Sequence, residues 1–281
     1  MTPLVTKTVS DTRVQIRTAR NTRKTVGFVP TMGALHEGHA RLIETARSQC
    51  EYVVVSIFVN PLQFAPNEDF SRYPRALSSD LELCRSRGAD LVFAPAVEDM
   101  YPQEQLTFVE VTKISDQLCG AFRPGHFRGV ATVVLKLLNI IEPDRAYFGE
   151  KDLQQLAIIR RMVRDLALDV DIIGVPTVRE HDGLALSSRN QYLDPSQRTA
   201  AAVLYGALVR IRELVHAGER DVRRLHQAAL EVIAGEPKAR VQYFMLVDEH
   251  MQPVDTVSDG TYAAGAIFFG TTRLIDNIRC L

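Results

Sequence analysis

The sequence predicts an α/β protein, and three observations lead to that prediction. Short apolar, β-branched runs alternate with helical patterns over residues 25–178. Polar clusters follow several of these runs, as at the carboxyl edge of an open parallel sheet. After residue 178 the pattern changes to helices followed by strands. We expect a doubly wound parallel (Rossmann-like) sheet in a domain over 1–178, and a smaller α+β C-terminal lid domain over 179–281.

The composition is that of a chain able to bury a core. It has 281 residues, of which 46% are hydrophobic and 24% charged. The formal net charge of −1 gives no electrostatic case for a nucleic-acid partner or an anionic membrane. No apolar run approaches the ~18 residues of a membrane span, and the N-terminal stretch lacks an apolar signal core. We therefore expect neither nucleic-acid nor membrane partners.

The cysteines show neither a redox pair nor zinc spacing. Cys50, Cys84, Cys119 and Cys280 are far apart in the sequence, with no C-x-x-C motif. Buried free thiols, as in a reducing compartment, are the simplest expectation.

Hydrophobic patterns predict the elements of the larger domain. The run YVVVSIFV from Tyr52 is typical of a strand covered on both faces. Apolar residues at 130, 133, 134, 137, 138 and 141 follow the helical i, i+3, i+4 pattern. In chain order we expect a helix over 1–24, a strand at 25–30, a helix at 37–50, a strand at 52–59, an irregular stretch at 69–75 and a helix at 79–88. Strands follow at 89–95 and 106–112, then a helix or turn at 114–122, a loop at 123–129 and a helix at 130–141. The last elements of this domain are a strand at 145–148, a helix at 153–168 and a strand at 170–178.

The smaller domain has a simpler predicted order. Helices are expected over 195–218 and 221–235, and strands over 241–247 and 266–269, followed by a closing segment over 271–277.

The first polar cluster is the segment PTMGALHEGH, from Pro30 to His39. A strand, a tight turn and a helix present backbone N–H groups and a helix N-terminus to a phosphate. Gly33 permits the turn, and Gly38 would let a phosphate approach the backbone. His36 and His39 are three residues apart, so they share one side and can donate to phosphate oxygens or carry a proton. A pair of histidines capping an ordinary helix is the alternative.

The second cluster contains neutral amides. Asn60 and Gln63 follow the strand that begins at Tyr52. An amide can hold a hydroxyl or a carboxylate without adding charge, so these residues are candidates for binding a polar substrate. A polar turn with satisfied hydrogen bonds is the alternative.

The third cluster is Gly149 to Asp152, which follows a strand and opens a helix. Lys151 is a candidate for phosphate binding, and Gln155, one turn further on, faces the same way. A charged helix cap would explain Glu150 and Asp152, but a lysine at a helix N-terminus fits that interpretation poorly. The loop from Arg123 to Gly129 could face an anion or be a plain surface loop.

The H-x-G-H pattern after the first strand resembles the signature of the nucleotidyltransferase superfamily. The loop from Asp182 to Asn190 occupies the position of that superfamily's second, mobile signature. Ser187 and Ser188 precede Arg189, whose guanidinium could clamp the β- and γ-phosphates. A hinge between the domains is the alternative, and both interpretations can hold together.

Seven sequence blocks together resemble the pantoate–β-alanine ligase family. They are VPTMGALHEGH (29–39), VVVSIFVNPLQF (53–64), YPR (73–75), RPGHFRGV (123–130), FGEKDLQQL (148–156), DGLALSSRNQYL (182–193) and TRLIDN (272–277). The resemblance implies an ATP-dependent ligase that makes pantothenate in two steps. The carboxylate of pantoate attacks the α-phosphate of ATP, giving pantoyl adenylate and pyrophosphate, and the amine of β-alanine then expels AMP.

The resemblance also implies roles for individual residues. The implied ATP-binding residues are Met32, Gly33, Ala34, Leu35, His36, Glu37, Gly38, His39, Gly149, Glu150, Lys151, Asp152, Val178, Leu186, Ser187, Ser188 and Arg189. The implied catalytic residues among them are His39, His36, Lys151, Ser187, Ser188 and Arg189. Gln63, Gln155 and Asn60 are implied to bind pantoate and β-alanine. Mg²⁺ is expected on the phosphate oxygens, with Asp80 as a candidate ligand. A cytoplasmic homodimer is implied as well.

Other functions compete with this one. Another adenylyltransferase of the same superfamily would need a basic pocket for its second substrate, whereas the amides of Gln63 and Gln155 suit a small hydroxy acid better. A truncated aminoacyl-tRNA synthetase would need a basic tRNA-binding domain. A non-catalytic nucleotide-binding regulator could have this fold, because fold does not determine function, but it predicts the loss of site residues that are present here.

Overall fold

Two β-sheets organise the chain. The computed structural model describes residues 2–65, 68 and 70–281; Met1 in the predicted first helix and Asp69 in the predicted irregular stretch lie outside the described residues. The strands are β1 (Leu4–Thr6), β2 (Val26–Thr31), β3 (Tyr52–Ile57), β4 (Leu91–Phe93), β5 (Arg145–Gly149), β6 (Asp171–Val175), β7 (Ala239–Val247), β8 (Tyr262–Phe269) and β9 (Thr272–Arg279).

Helices connect the strands. They are α1 (Val9–Asn21), α2 (Glu37–Gln49), α3 (Leu77–Ser86), α4 (Val97–Met100), α5 (Leu118–Phe122), α6 (His126–Ile141), α7 (Leu153–Asp165), α8 (Pro195–Ala200), α9 (Val203–His216) and α10 (Val222–Ala234). Short 3₁₀ turns lie at Pro61–Gln63, Phe70–Arg72, Glu150–Asp152 and Ser188–Tyr192. Among the described residues, no helix is long and apolar enough to cross a membrane.

The larger sheet is parallel and doubly wound, which confirms the predicted fold class. Its strand order is β1-β4-β3-β2-β5-β6. The chain therefore builds outward from β2 in one direction as far as β4, with β1 at that edge, and then crosses back to place β5 and β6 on the other side. The strand order reverses between β2 and β5, and a crevice opens at the carboxyl ends of strands at such a reversal. The segments that follow these two strands are the H-x-G-H turn and Gly149–Asp152.

Helices cover both faces of this sheet. Along β3, Val54 packs into one buried cluster with α1, α6 and α7. Its neighbours Val53 and Val55 pack into a second cluster with α2 and α3. Alternate side chains of one strand thus enter two cores, which explains why β3 has apolar residues on both of its faces.

The smaller sheet is antiparallel, with order β7-β8-β9. Helices α9 and α10 pack against it around a separate core that includes Leu208, Phe244 and Ile267. The boundary at residues 178 and 179 and the description of the second unit as a lid stay predictions. The four cysteines are buried free thiols, as expected.

Several predicted elements were wrong at the N-terminal edge and in the middle of the chain. The predicted first helix begins only at Val9, after strand β1, because Thr8 caps it by accepting a hydrogen bond from the Asp11 N–H at 3.1 Å. Residues 106–112 alternate in hydropathy but form no strand. There the Val109 N–H donates to the Thr132 hydroxyl at 2.9 Å instead of to a neighbouring strand.

Other differences concern element boundaries. Helix α6 begins at His126 within the predicted loop, because Gly125 adopts a left-handed conformation (φ 79°) and starts the helix. The predicted helix over 195–218 is two helices, α8 and α9. The closing segment over 271–277 belongs to strand β9, whose polar residues hide its character from a hydropathy pattern.

Gly129 fixes the distance between α6 and the turn that carries Gln63. A Cβ atom at Gly129 would lie 2.2 Å from the Leu62 carbonyl oxygen and 2.8 Å from the Gln63 Cα. Only a glycine allows this approach, so the two elements are locked together by backbone contact.

We therefore expect Gly129→Ala to push the Gln63 turn away from α6. The overpacked contact should cost about 1–3 kcal/mol in the free energy of unfolding, measured by urea titration. Gly206→Ala is the matched control in helix α9, where the nearest atom to the new Cβ would lie 3.8 Å away. The control should be neutral or stabilising by up to about 1 kcal/mol, because alanine favours helix. Equal stability changes in the two variants would contradict the role of Gly129.

Candidate active site

The turn after β2 is held by a buried carboxylate. Gly33 and Ala34 adopt positive φ angles of 84° and 52°, a conformation that is unfavourable for alanine. Asp80 of α3 is 2% exposed. Its two carboxylate oxygens accept hydrogen bonds from the N–H groups of Ala34 at 3.0 Å and Leu35 at 2.8 Å. Asp80 therefore stabilises the turn, which is a different role from the magnesium ligand considered from the sequence.

The two histidines form a reciprocal cap at the start of α2. His36 Nδ1 accepts the Gly38 N–H at 3.1 Å, and His39 Nδ1 accepts the His36 N–H at 3.2 Å. Their ring centroids are 4.2 Å apart. Because each Nδ1 accepts a hydrogen bond, the proton of each neutral ring is on Nε2. The helix-cap interpretation is confirmed, and each ring keeps an Nε2–H donor, so the role in phosphate binding stays a prediction.

Gly38 has a structural role that the sequence did not reveal. A Cβ atom there would lie 2.8 Å from Cε1 of His36. The glycine makes room for the His36 ring to fold over the helix terminus, and its predicted role in letting a phosphate approach the backbone stays a prediction.

Both rings are strongly biased towards the neutral form. Burial is the main cause that lowers the pKa of His39 to about 3, and the charges of His36 and Lys151 add to it. Burial, followed by the Lys151 ammonium, lowers the pKa of His36 to about 4. At neutral pH the turn therefore offers two uncharged donors, and Lys151 supplies the positive charge beside them.

The amide pair is connected to this turn. Asn60 accepts hydrogen bonds from the Tyr101 hydroxyl at 2.8 Å and the Leu62 N–H at 3.3 Å. Its amide donates to the Gln63 side-chain oxygen at 3.3 Å. The Gln63 amide in turn lies 2.8 Å from the Met32 sulfur. The structure thus brings Gln63 against the H-x-G-H segment, with Asn60 behind it as a support.

A neutral histidine fixes the backbone of Gln63. His126 Nε2 lies 3.0 Å from the Arg123 guanidinium, which can only donate, so Nδ1 carries the proton. That Nδ1–H donates to the Gln63 carbonyl at 2.8 Å. Burial, followed by the Arg123 charge, lowers the pKa of His126 to about 4. Arg123 forms an ion pair with Glu68 at 2.5 Å. This arginine of the predicted loop is therefore already bound to a carboxylate of the protein.

The signature loop is the end of a small hairpin. Leu186 N–H donates to the Val178 carbonyl at 3.0 Å and closes its base. Ser187 caps the following 3₁₀ turn by accepting the Arg189 N–H at 3.3 Å, and Ser188 is buried in that turn. At the hairpin tip, Arg198 pairs with acidic residues of the loop, as in its 2.6 Å contact with Asp182.

A cavity of about 680 Å³ is lined by residues of the hairpin, of the Lys151 turn and helix α7, and of strands β7 to β9. This volume is within the usual range of small-molecule sites. Five of the predicted site residues line it: Lys151, Asp152, Gln155, Ser187 and Arg189. His36, His39, Gln63 and Asn60 lie outside the lining, and Lys151 connects the two regions because its charge acts on both histidines.

The cavity also contains residues that the site prediction left out. They are Arg72, Arg123, His126, Gln242, Tyr243, Arg273, Asp276 and Asn277. The sequence blocks RPGHFRGV and TRLIDN contain five of these residues: Arg123, His126, Arg273, Asp276 and Asn277. The resemblance of these blocks to the family could therefore have indicated them as site residues. Gln242 and Tyr243 of β7 lie in no such block.

The family to which the chain belongs is shown by its match to a protein-family model. The model described as pantoate-beta-alanine ligase matches residues 4–279. The chain belongs to the pantoate–β-alanine ligase family.

Relatives and solved structures agree with the family model. A pantothenate synthetase of Heliobacterium modesticaldum is 57% identical over 91% of each chain. The crystal structure of pantothenate synthetase from Thermus thermophilus superimposes with a TM-score of 0.94 at 48% identity, covering 99% of each chain. A Francisella tularensis pantoate-beta-alanine ligase, solved with a β,γ-ATP compound and β-alanine, matches with a TM-score of 0.81 at 36% identity, covering 99% of this chain and 98% of that one.

The described residues contain no protein cluster suited to holding a metal ion. Within them, no group of three or more His, Cys, Asp and Glu side chains converges with metal-ligand geometry. Both oxygens of Asp80 already accept backbone hydrogen bonds. A magnesium ion held mainly by phosphate oxygens and water would need no such cluster.

We expect the neutral state of His39 to appear in the pH dependence of stability. The imidazole has a pKa of about 6.5 in the unfolded chain and about 3 in the folded one. Between these values only the unfolded state takes up the proton, so the free energy of unfolding falls as pH falls from 6.5 towards 4. The contribution of His39 is up to about 1.4 kcal/mol per pH unit.

His39→Asn keeps an acceptor for the His36 N–H but cannot titrate. Urea unfolding of this variant at pH 7, 6, 5 and 4 should give a shallower slope than the wild type. His216→Asn, at the exposed end of α9, controls for the loss of a histidine. Parallel curves for wild type and His39→Asn would show that the folded state does not exclude the proton from His39.

Proposed function

We propose that this chain condenses (R)-pantoate with β-alanine at the expense of ATP, giving pantothenate, AMP and pyrophosphate through a pantoyl adenylate. The strongest support for the proposal is the placement of two turns in the larger sheet. The H-x-G-H turn and the Lys151 turn follow the two strands between which the sheet order reverses, and the Lys151 charge acts on both histidines. The family membership supplies the substrates, because the Francisella relative was solved with a β,γ-ATP compound and β-alanine.

The first step needs stabilisation of charge on the triphosphate. The pantoate carboxylate attacks the α-phosphorus, a P–O bond breaks, and pyrophosphate leaves. We assign His36 and His39 as Nε2–H donors to phosphate oxygens in this step, and Lys151 as the fixed positive charge. Because these donors are held by their own hydrogen bonds before ATP arrives, little reorganisation is needed when charge develops. Ser187, Ser188 and Arg189 would close over the β- and γ-phosphates from the hairpin side.

The second step needs orientation more than charge. The β-alanine amine attacks the acyl carbon, and AMP departs with the oxygen that pantoate contributed. We assign Gln63 and Gln155 to pantoate, with Asn60 supporting Gln63. Gln63 is 9% exposed and fixed through both its backbone and its side chain, so it can hold the acid in one orientation.

The adenosine and the metal complete the proposed complex. The remaining proposed ATP contacts are with Met32 to Leu35, Glu37, Gly38, Gly149, Glu150, Asp152, Val178 and Leu186. Val178 contributes through its backbone at the base of the hairpin. Mg²⁺ would enter with the triphosphate and neutralise part of its charge.

The assembly and location of the enzyme stay predictions. We propose a cytoplasmic homodimer, in line with the family resemblance. Leu106 is 81% exposed and Phe108 is 38% exposed, so this stretch offers apolar surface that a second copy could cover.

The proposal predicts ATP–pyrophosphate exchange that depends on pantoate and needs no β-alanine. Purified protein should incorporate labelled pyrophosphate into ATP when pantoate is present, because the adenylation step is reversible and separate from amide formation. Exchange with another carboxylate or with a phosphate instead would indicate a different adenylyltransferase. ATP binding without exchange on any acid would indicate a regulator.

Gln63→Ala should raise the KM for pantoate by a larger factor than the KM for ATP. Losing a hydrogen bond to a charged carboxylate corresponds to about 1.5–3 kcal/mol, or roughly 10- to 150-fold in pantoate affinity. Gln227→Ala is the matched control, since that side chain donates to Glu231 on the exposed face of α10. Equal changes in both KM values for Gln63→Ala would count against the assignment of Gln63 to pantoate.

A further inference from the structure

Strand β9 of the smaller sheet is joined to the Lys151 turn by one side chain. The Asn277 amide donates to the carbonyl oxygens of Glu150 and Lys151, both at 2.9 Å. Asn277 is 8% exposed, and its partners are consecutive residues of the turn that precedes α7. A single NH₂ group thus fixes two successive peptide planes, which meet at the Cα atom that carries the Lys151 side chain.

The residue before Asn277 is tied to the opposite loop. Asp276 pairs with Arg179 through contacts of 2.6 and 3.0 Å. Arg179 also donates to the Gly183 carbonyl at 3.0 Å, within the hairpin that leads to Ser187. The Asn277 carbonyl accepts from the same guanidinium at 3.3 Å. Two neighbouring residues of β9 therefore contact the turns on both sides of the cavity.

The side-chain chemistry at position 277 is restrictive. Two carbonyl acceptors require two N–H donors on one atom at short reach, and an asparagine amide provides them. Aspartate has the same shape but only acceptors when ionised, so it would repel both carbonyls. Serine could donate to only one of them.

We propose that Asn277 is the positioning residue for Lys151, holding its backbone so that the ammonium meets the triphosphate of ATP. The expected effect of Asn277 on catalysis rests on the proposed function, whereas its expected effect on ATP binding does not. A small displacement of a positioned group can cost up to about 100-fold in rate, and we expect a loss of up to that size in kcat/KM for ATP in Asn277→Ala.

The test is a double-mutant cycle of Asn277→Ala and Lys151→Ala in the full-length protein. ATP affinity is measured by calorimetry without pantoate, and adenylation by pyrophosphate exchange. If Asn277 acts through Lys151, its substitution should weaken ATP binding in the wild type and change it by less than about 2-fold once Lys151 is absent. Asn277→Asp should be at least as impaired as Asn277→Ala, and Asn277→Ser should lie between Asn277→Ala and the wild type.

Controls separate positioning from general damage. Arg279→Ala removes an exposed ion pair with Asp259 at the end of the same strand and should leave ATP affinity unchanged. The KM for pantoate should change by a smaller factor than the ATP affinity in Asn277→Ala, because the Asn277 amide binds the backbone carbonyls of Glu150 and Lys151. An Asn277→Ala protein with normal ATP affinity, or with the same loss in the Lys151→Ala background, would overturn the proposal.

The two proposals fail differently. A wild-type protein that binds ATP in an Asn277-dependent way but shows no exchange would overturn the proposed function while supporting the positioning role. Should Asn277→Ala not fold, the Asn277→Ser variant carries the same cycle, because it keeps one of the two hydrogen bonds.

Discussion

The reversal of strand order between β2 and β5 is the constraint on which the rest of the site depends. Two neighbouring parallel strands send their chains in opposite directions, so the turns that follow them face one crevice. One turn carries the reciprocal His36–His39 cap, and the other carries Lys151. Neither turn could present these groups together without the other strand beside it. The proposed chemistry follows from that juxtaposition.

The electrostatics of the crevice are simple. Its histidines are kept neutral by burial and by the nearby ammonium, so the donors that would meet the triphosphate carry no charge of their own. Positive charge comes from Lys151 and, in the proposed complex, from Arg189. Such a site stabilises developing charge through hydrogen bonds already aligned by the fold, and it would need no proton to be taken up from solvent.

Local motifs could be predicted from the sequence, whereas contacts between distant segments could not. A short stretch of sequence was enough to predict the H-x-G-H turn and the position of Lys151. A repeating hydrophobic pattern was enough to predict the parallel sheet. The contact of Asp80 with the turn at Ala34 spans 46 residues, and that of Asn277 with Lys151 spans 126. Strand β9 was not predicted as a strand, because its buried residues include polar side chains that bind other loops. The side chains at these positions are determined by contacts with residues distant in the sequence, and a hydropathy pattern does not reveal such contacts.

The proposed function requires that pantoate is activated as an acyl adenylate in this crevice. The most direct measurement uses pantoate labelled with ¹⁸O in its carboxylate, with ATP and β-alanine, followed by mass spectrometry of the AMP. Activation as an adenylate predicts that AMP gains one labelled oxygen, because the carboxylate oxygen attached to the α-phosphorus leaves with it. AMP without the label, formed together with pantothenate, would contradict activation as an adenylate.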